Sequence, residues 1–209
     1  PENGNSGKRS PAQPRYQGLC KTREAGLSMR LNSFYNPPRT PVQCARDEIA
    51  LSSPLLFDVP FVYLTGHQDF ELTSAERANL RQYLLRGGLL LAESCCGREA
   101  FDRSFRAEMA KVLEGQKLER LPANHPIFLF PNNLQGVQPQ PALAHRLGST
   151  GRIQPELLGL EMNGSMAVIY SPHGLSCGWE LAQCPYCAGI ASQDALALGV
   201  NILSYAVLQ

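Results

Sequence analysis

Two short apolar runs, residues 59–65 and 89–93, constrain this chain more than any other feature. The first reads Val-Pro-Phe-Val-Tyr-Leu-Thr and the second Leu-Leu-Leu-Ala-Glu, the composition of strands buried on both faces. Between them Thr73 stands three residues before Glu76, a capping-box pair that opens a helix through about residue 86. Ala75, Leu80, Tyr83 and Leu84 give that helix one apolar face, and Gly87-Gly88 stops it. After the second run comes Ser94-Cys95-Cys96-Gly97, and then Phe101, Phe105, Met109 and Val112 or Leu113 recur at helical spacing. Strand, helix, strand, turn and helix make a βαβα unit, which requires parallel strands joined by right-handed crossovers.

Asn163-Gly164, set between residues 157–162 and 165–170, is the strongest short hairpin signal a sequence offers. Residues 195–208 place Leu196, Leu203 and Val207 on a helical repeat interrupted by Asn201, and predict a closing helix. Upstream, Pro37, Pro38 and Pro41 break any continuous helix within residues 20–58, where a strand and a helix are expected. Residues 49–57 read as partly extended. Residues 1–19 are expected to be a flexible linker or tail, because the first seventeen carry no aliphatic side chain larger than Ala. Residues 20–209 then form one domain. The whole is predicted to be α/β: a flavodoxin-like doubly wound, mostly parallel sheet with an added antiparallel hairpin.

Composition narrows the function classes. With 209 residues, 44% hydrophobic and 18% charged, the chain suits one large domain with a buried core. Nineteen Lys+Arg against eighteen Asp+Glu leave a net charge of +1, which removes the electrostatic case for nucleic acid as a partner. No stretch reaches the roughly 18 consecutive apolar residues of a transmembrane segment. A chain that starts at Pro without a signal peptide is expected to be a piece of a longer protein.

Phe61-Val62-Tyr63-Leu64-Thr65-Gly66-His67 and Leu80-Arg81-x-Tyr83-Leu84-x-x-Gly87-Gly88 resemble the bacterial domain of unknown function family 4159. His125-Pro126-Ile127-Phe128, Ser171-Pro172-His173 and Gly199-Val200-Asn201 follow that family's pattern in order. The resemblance spans residues 20–209. It implies a fold similar to class I glutamine amidotransferases and to ThuA-like proteins. It also implies a non-catalytic or ligand-recognising module of a longer bacterial chain. The partner would be the remainder of that chain or an envelope assembly, in an extracytoplasmic or membrane-associated setting, with a cytoplasmic one left open. Class I amidotransferases carry Gly-x-Cys-x-Gly on a strand-to-helix turn. Here residues 93–97 match it with Cys95 at the nucleophile position and Gly97 in place, while Glu93 replaces the first Gly.

In an open α/β sheet, ligands sit beyond the carboxyl ends of the strands. Gly66, Asp69, Glu93, Ser94, Gly97 and Ser171 fall there and are the expected lining for a small ligand. Cys95, at a helix N-terminus that lowers a thiol pKa, is the candidate nucleophile of a cysteine-dependent hydrolase or amidotransferase-type enzyme. His67 or His173 would be its base. The plainer reading of Cys95 is a buried, inert thiol. A second constellation, His173, Cys177, Cys184 and Cys187, offers an imidazole and three thiolates to a structural zinc. A disulfide or free thiols are the alternatives, and seven cysteines leave at least one unpaired within the chain.

Overall fold

The computed structural model describes residues 49–180 and 185–208, so the expected linker, the upstream strand and helix, and Cys184 lie outside the described residues. The first apolar run forms strand β1 (Phe61–Gly66) and the second β2 (Leu89–Ser94). Helix α1 (Ser74–Leu85) joins them, and both halves of the Thr73/Glu76 capping box are made. Helix α2 (Glu99–Val112) follows β2. A two-residue strand β3 (Glu119–Arg120), short helices α3 (Pro126–Leu129) and α4 (Pro141–Leu147), and the hairpin β4 (Leu158–Met162) and β5 (Ser165–Ser171) come next. The short α5 (Ser176–Trp179) and the closing helix α6 (Ser192–Leu208) complete the chain.

The five strands lie in the order β1-β2-β5-β4-β3. β1 with β2 and β2 with β5 are parallel, whereas β5 with β4 and β4 with β3 are antiparallel. The sheet is therefore mixed rather than mostly parallel. The cause is the Asn163-Gly164 turn, whose positive φ values of 54° and 83° close a tight hairpin. Once β5 docks parallel to β2, β4 must run the other way, and β3 adds to its outer edge. Residues 49–57, expected to be partly extended, instead contain a 3-10 turn at Pro54–Asp58. Ser53 caps it by accepting from the Leu55 amide, and Pro54 supplies a φ already suited to the first turn.

Strand alternation sends side chains to two cores. Leu90 and Ala92 of β2 join Val168 and Tyr170 of β5 against Leu80 and Leu84 of α1 and Phe101, Phe105 and Met109 of α2. Leu89 and Leu91, with Ile169, face Ile127 and Phe128 of α3, Trp179 of α5 and Ala195, Leu198 and Ile202 of α6. Helices thus cover both faces, and every residue of β2 is buried. Trp179 is part of this core and donates its indole N–H to the Ala195 carbonyl. No helix among the described residues is long and apolar enough to cross a membrane.

Asn201, which interrupts the apolar run of α6, is fully buried and uses its whole amide. Its Oδ1 accepts from the Asn132 backbone N–H at 2.9 Å, and its Nδ2 donates to the carbonyls of Ile127 at 2.9 Å and Asn132 at 2.8 Å. This side chain, together with Asn132 Nδ2 donating to the Ala197 carbonyl at 3.4 Å, stitches the loop after α3 to α6. Asn201→Leu should lower unfolding free energy by about 2–4 kcal/mol, because it orphans buried backbone groups. Denaturant unfolding with an unchanged m-value checks it.

Glu108 of α2 is 2% exposed and accepts from Arg77 Nε at 2.7 Å, Lys111 Nζ at 2.8 Å and the Leu72 amide at 3.2 Å. Burial favours its neutral form, but Arg77, Lys111 and the Leu72 amide together hold its pKa below the usual carboxylate value. A depressed folded-state pKa means the stabilisation is complete above the ordinary glutamate range and is lost as pH falls through the folded value. Thermal melts from pH 7 down to pH 3 should therefore show a shallower acid decline for Glu108→Gln than for the parent.

Candidate metal-binding thiol centre

The three parallel strands end together. Gly66 of β1 pairs with Ser94 of β2, and Glu93 of β2 pairs with Ser171 of β5. The chain therefore leaves the sheet on one rim three times, carrying His67, Cys95-Cys96 and the segment that leads to Cys177. A fourth segment closes over them: the Ala188 amide donates to the Cys96 carbonyl at 3.1 Å, and the Gly174 amide donates to the Ala188 carbonyl at 3.2 Å. A Cβ on Gly174 would lie 2.8 Å from the Cys96 amide nitrogen, and one on Gly189 would lie 2.5 Å from the Gly174 carbonyl oxygen. Only glycine permits backbones this close.

The result is a cluster of four cysteines, Cys95, Cys96, Cys177 and Cys187, each no more than 3% exposed and none in a disulfide. Cys96 Sγ is 3.3 Å from Cys177 Sγ and 3.3 Å from His67 Nε2. Cys96, Cys177 and Cys187 present sulfurs all within 4.8 Å of one another, and so do the ligand atoms of His67, Cys95 and Cys96. Cys96 belongs to both groups.

Glu93 builds the frame. Its carboxyl group is fully buried and accepts from Tyr63 Oη at 2.5 Å, Thr65 Oγ1 at 3.1 Å, the Ser176 amide at 3.0 Å and the Leu175 amide. Four donors around one carboxylate are what a buried charge requires. Burial, and then the neighbouring Cys95, push its pKa up, while the donors from Ser176, Tyr63 and Leu175 pull it back. Burial first, then the adjacent Glu93 charge, drive the Tyr63 phenol well above its ordinary value, so Tyr63 stays a donor. Because Leu175 and Ser176 are tied to β2, Cys177 is delivered beside Cys96.

The thiols share their protons unequally. Hydrogen bonds from Cys177 and Cys96 lower the Cys187 pKa to about 6. Its partners Cys177 and Cys187, followed by Cys95 and burial, raise that of Cys96. The downward direction at Cys187 favours the thiolate, the form that binds a soft metal.

The family profile described as "domain of unknown function (DUF4159)" matches residues 17–207. The chain belongs to this family. Comparison with curated proteins finds no match.

Against this DUF4159 frame the sequence-derived site residues sort by geometry. The thiol in the left-handed conformation on the strand-to-helix turn is Cys96, at φ 54° and ψ 16°, rather than Cys95. Cys95 points to Ser176 Oγ at 3.5 Å and Cys177 Sγ at 4.0 Å. His67 meets the cluster, whereas His173 has its Nδ1 3.1 Å from Arg146 Nη2 and its Nε2 3.6 Å from a Glu156 oxygen. Burial lowers the His173 pKa, with Glu156 acting against it. Of the residues expected to line a ligand, Ser94 donates to the Arg98 carbonyl and Ser171 to the His173 carbonyl, so both hold turns. The Gly97 carbonyl accepts from Arg146 at 3.0 Å, Gly66 ends β1, and Asp69 is exposed. Among the expected zinc ligands Cys177 and Cys187 come together, and Cys184 lies outside the described residues. Sequence reasoning missed Cys96 as a ligand, along with Tyr63 and Ser176. The tandem Cys95-Cys96 before Gly97 was the available signal, but which of the two meets both Cys177 and His67 depends on backbone φ.

Removing the brace should be costly. Glu93→Ala leaves the Leu175 and Ser176 amides and the Tyr63 hydroxyl without their acceptor, and should destabilise the domain by about 3–5 kcal/mol. Equilibrium unfolding, with alkylation rates of the four thiols as a local readout, checks both the loss and its location.

Proposed function

We propose that this domain is a non-catalytic module of the class I glutamine amidotransferase-like, flavodoxin-like superfamily whose rim binds a soft metal ion. The ligands are Cys96, Cys177 and Cys187. The observation that carries the reading is the meeting of these three buried sulfurs, from three separate segments, all within 4.8 Å. Metal–sulfur bonds of about 2.3 Å and tetrahedral angles set sulfurs roughly 3.8 Å apart, so the 3.3 Å between Cys96 and Cys177 needs only a small opening. Zinc would take His67, 3.3 Å from Cys96, as its fourth ligand in place of the His173 suggested by spacing alone. Three helices packed on one face of the sheet and two on the other, with parallel β1, β2 and β5, support the superfamily placement. The module would serve the rest of a longer bacterial protein or an envelope assembly.

A second reading rests on Cys96 as well. A left-handed thiol residue on a strand-to-helix turn with an imidazole nitrogen at 3.3 Å has the parts of a nucleophile and base. Its 3% exposure leaves a substrate little access to the sulfur, which favours the metal-holding role. Protein purified under reducing conditions and dialysed against zinc should retain one equivalent by elemental analysis. Cys177→Ala should lose it while staying folded by circular dichroism. A folded parent with no bound zinc or cuprous ion would overturn the proposal, and fast selective alkylation of Cys96 by iodoacetamide would establish the enzyme reading instead.

A further inference from the structure

The metal reading leaves one side chain without a task. Cys95 is 1% exposed, and its sulfur lies 4.0 Å from Cys177 Sγ and within 4.8 Å of Cys96 Sγ and a His67 ring nitrogen, so a single tetrahedral ion at Cys96, Cys177 and Cys187 uses either Cys95 or His67 and leaves the other over. Two three-ligand groups, one of three sulfurs and one of two sulfurs and an imidazole, therefore share a corner at Cys96. A thiolate sulfur carries lone pairs enough to bridge two metal ions. We propose that the rim is a dinuclear site for cuprous copper, with Cys96 bridging one ion held by Cys177 and Cys187 and a second held by Cys95 and His67.

The choice of ion follows from the count of ligands. Among the described residues, five protein ligands with one bridging give each position three, which satisfies a monovalent d10 ion that accepts trigonal coordination by soft donors. Zinc requires four, so the same five described groups hold one zinc with His67 or Cys95 recruited to it, or two only with further ligands. Four thiolates and two cuprous ions leave a residual negative charge. Cys95 and Cys96 sit just before the first turn of α2, whose N-terminal partial positive charge opposes it, and Ser176 Oγ donates to Cys95 at 3.5 Å. The position with three thiolates fills first and the one using His67 second.

The inference rests on the metal reading above, and one experiment separates them. The folded domain, reduced and oxygen-free, is titrated with cuprous ion against a chromophoric chelator, bound copper is counted by elemental analysis, and X-ray absorption is used to look for a copper–copper vector. Two equivalents with that vector are expected for the parent. One equivalent and no vector are expected for Cys95→Ala and, independently, for His67→Ala, so that misfolding of either variant leaves the other decisive. One equivalent in the parent would overturn the dinuclear site while leaving the three-sulfur site standing, and none would remove both. Two equivalents retained by both variants would place the second ion elsewhere and overturn the inference.

Discussion

A single buried carboxylate holds the rim together. Glu93 sits at the end of the central strand with no solvent contact, and an isolated charge there would cost several kcal/mol. Two side-chain hydroxyls from β1 and two backbone amides at the start of α5 offset that cost. The consequence reaches beyond electrostatics. The amides belong to the segment that leaves β5, so the same bonds that solvate the charge fasten the third loop to the tip of the second strand. Glu93 thereby makes the turn after β2 a sealed elbow.

The sealed elbow explains the chemistry of the sulfurs. Four thiols are buried side by side, and the hydrogen bonds among them lower the Cys187 pKa and raise that of Cys96. Glycines at 174 and 189 allow the Cys187 segment to thread between two other backbones, which brings a sulfur from a distant part of the chain into contact. A site built in this way keeps all four sulfurs from solvent. Such surroundings suit a resident soft ion better than a nucleophile that must meet a substrate.

The mixed sheet serves the same end. A β5 that enters from a tight hairpin emerges at the rim shared by β1 and β2, and its next residues supply the Ser171–His173 turn and then Cys177. The antiparallel strands lie on the far side, away from the thiols. On the opposite flank Glu108 and its cations fasten α1 to α2, and Asn201 fastens the α3 loop to α6. The rim is thus approached by elements already fixed at their other ends.

Much of the scaffold was legible from residue order. The strands at 61–66 and 89–94, the capped helix between them, the Asn163-Gly164 hairpin and the closing helix all rest on local signals: β-rich runs, a Thr/Glu box and residues tolerant of positive φ. Such signals act within a few residues, and tertiary packing here agreed with them. The extended reading of residues 49–57 failed because Ser53-Pro54 favours a capped turn and Leu56 packs into the core. The site was legible only as a list of residue types. That Cys96 rather than Cys95 stands at the corner shared by both ligand groups is decided by one backbone angle, and whether His67 or His173 meets the sulfurs by which side chains Arg146 and Glu156 engage. Those outcomes depend on contacts across dozens of residues, and only the packed sheet and its crossing loops fix them.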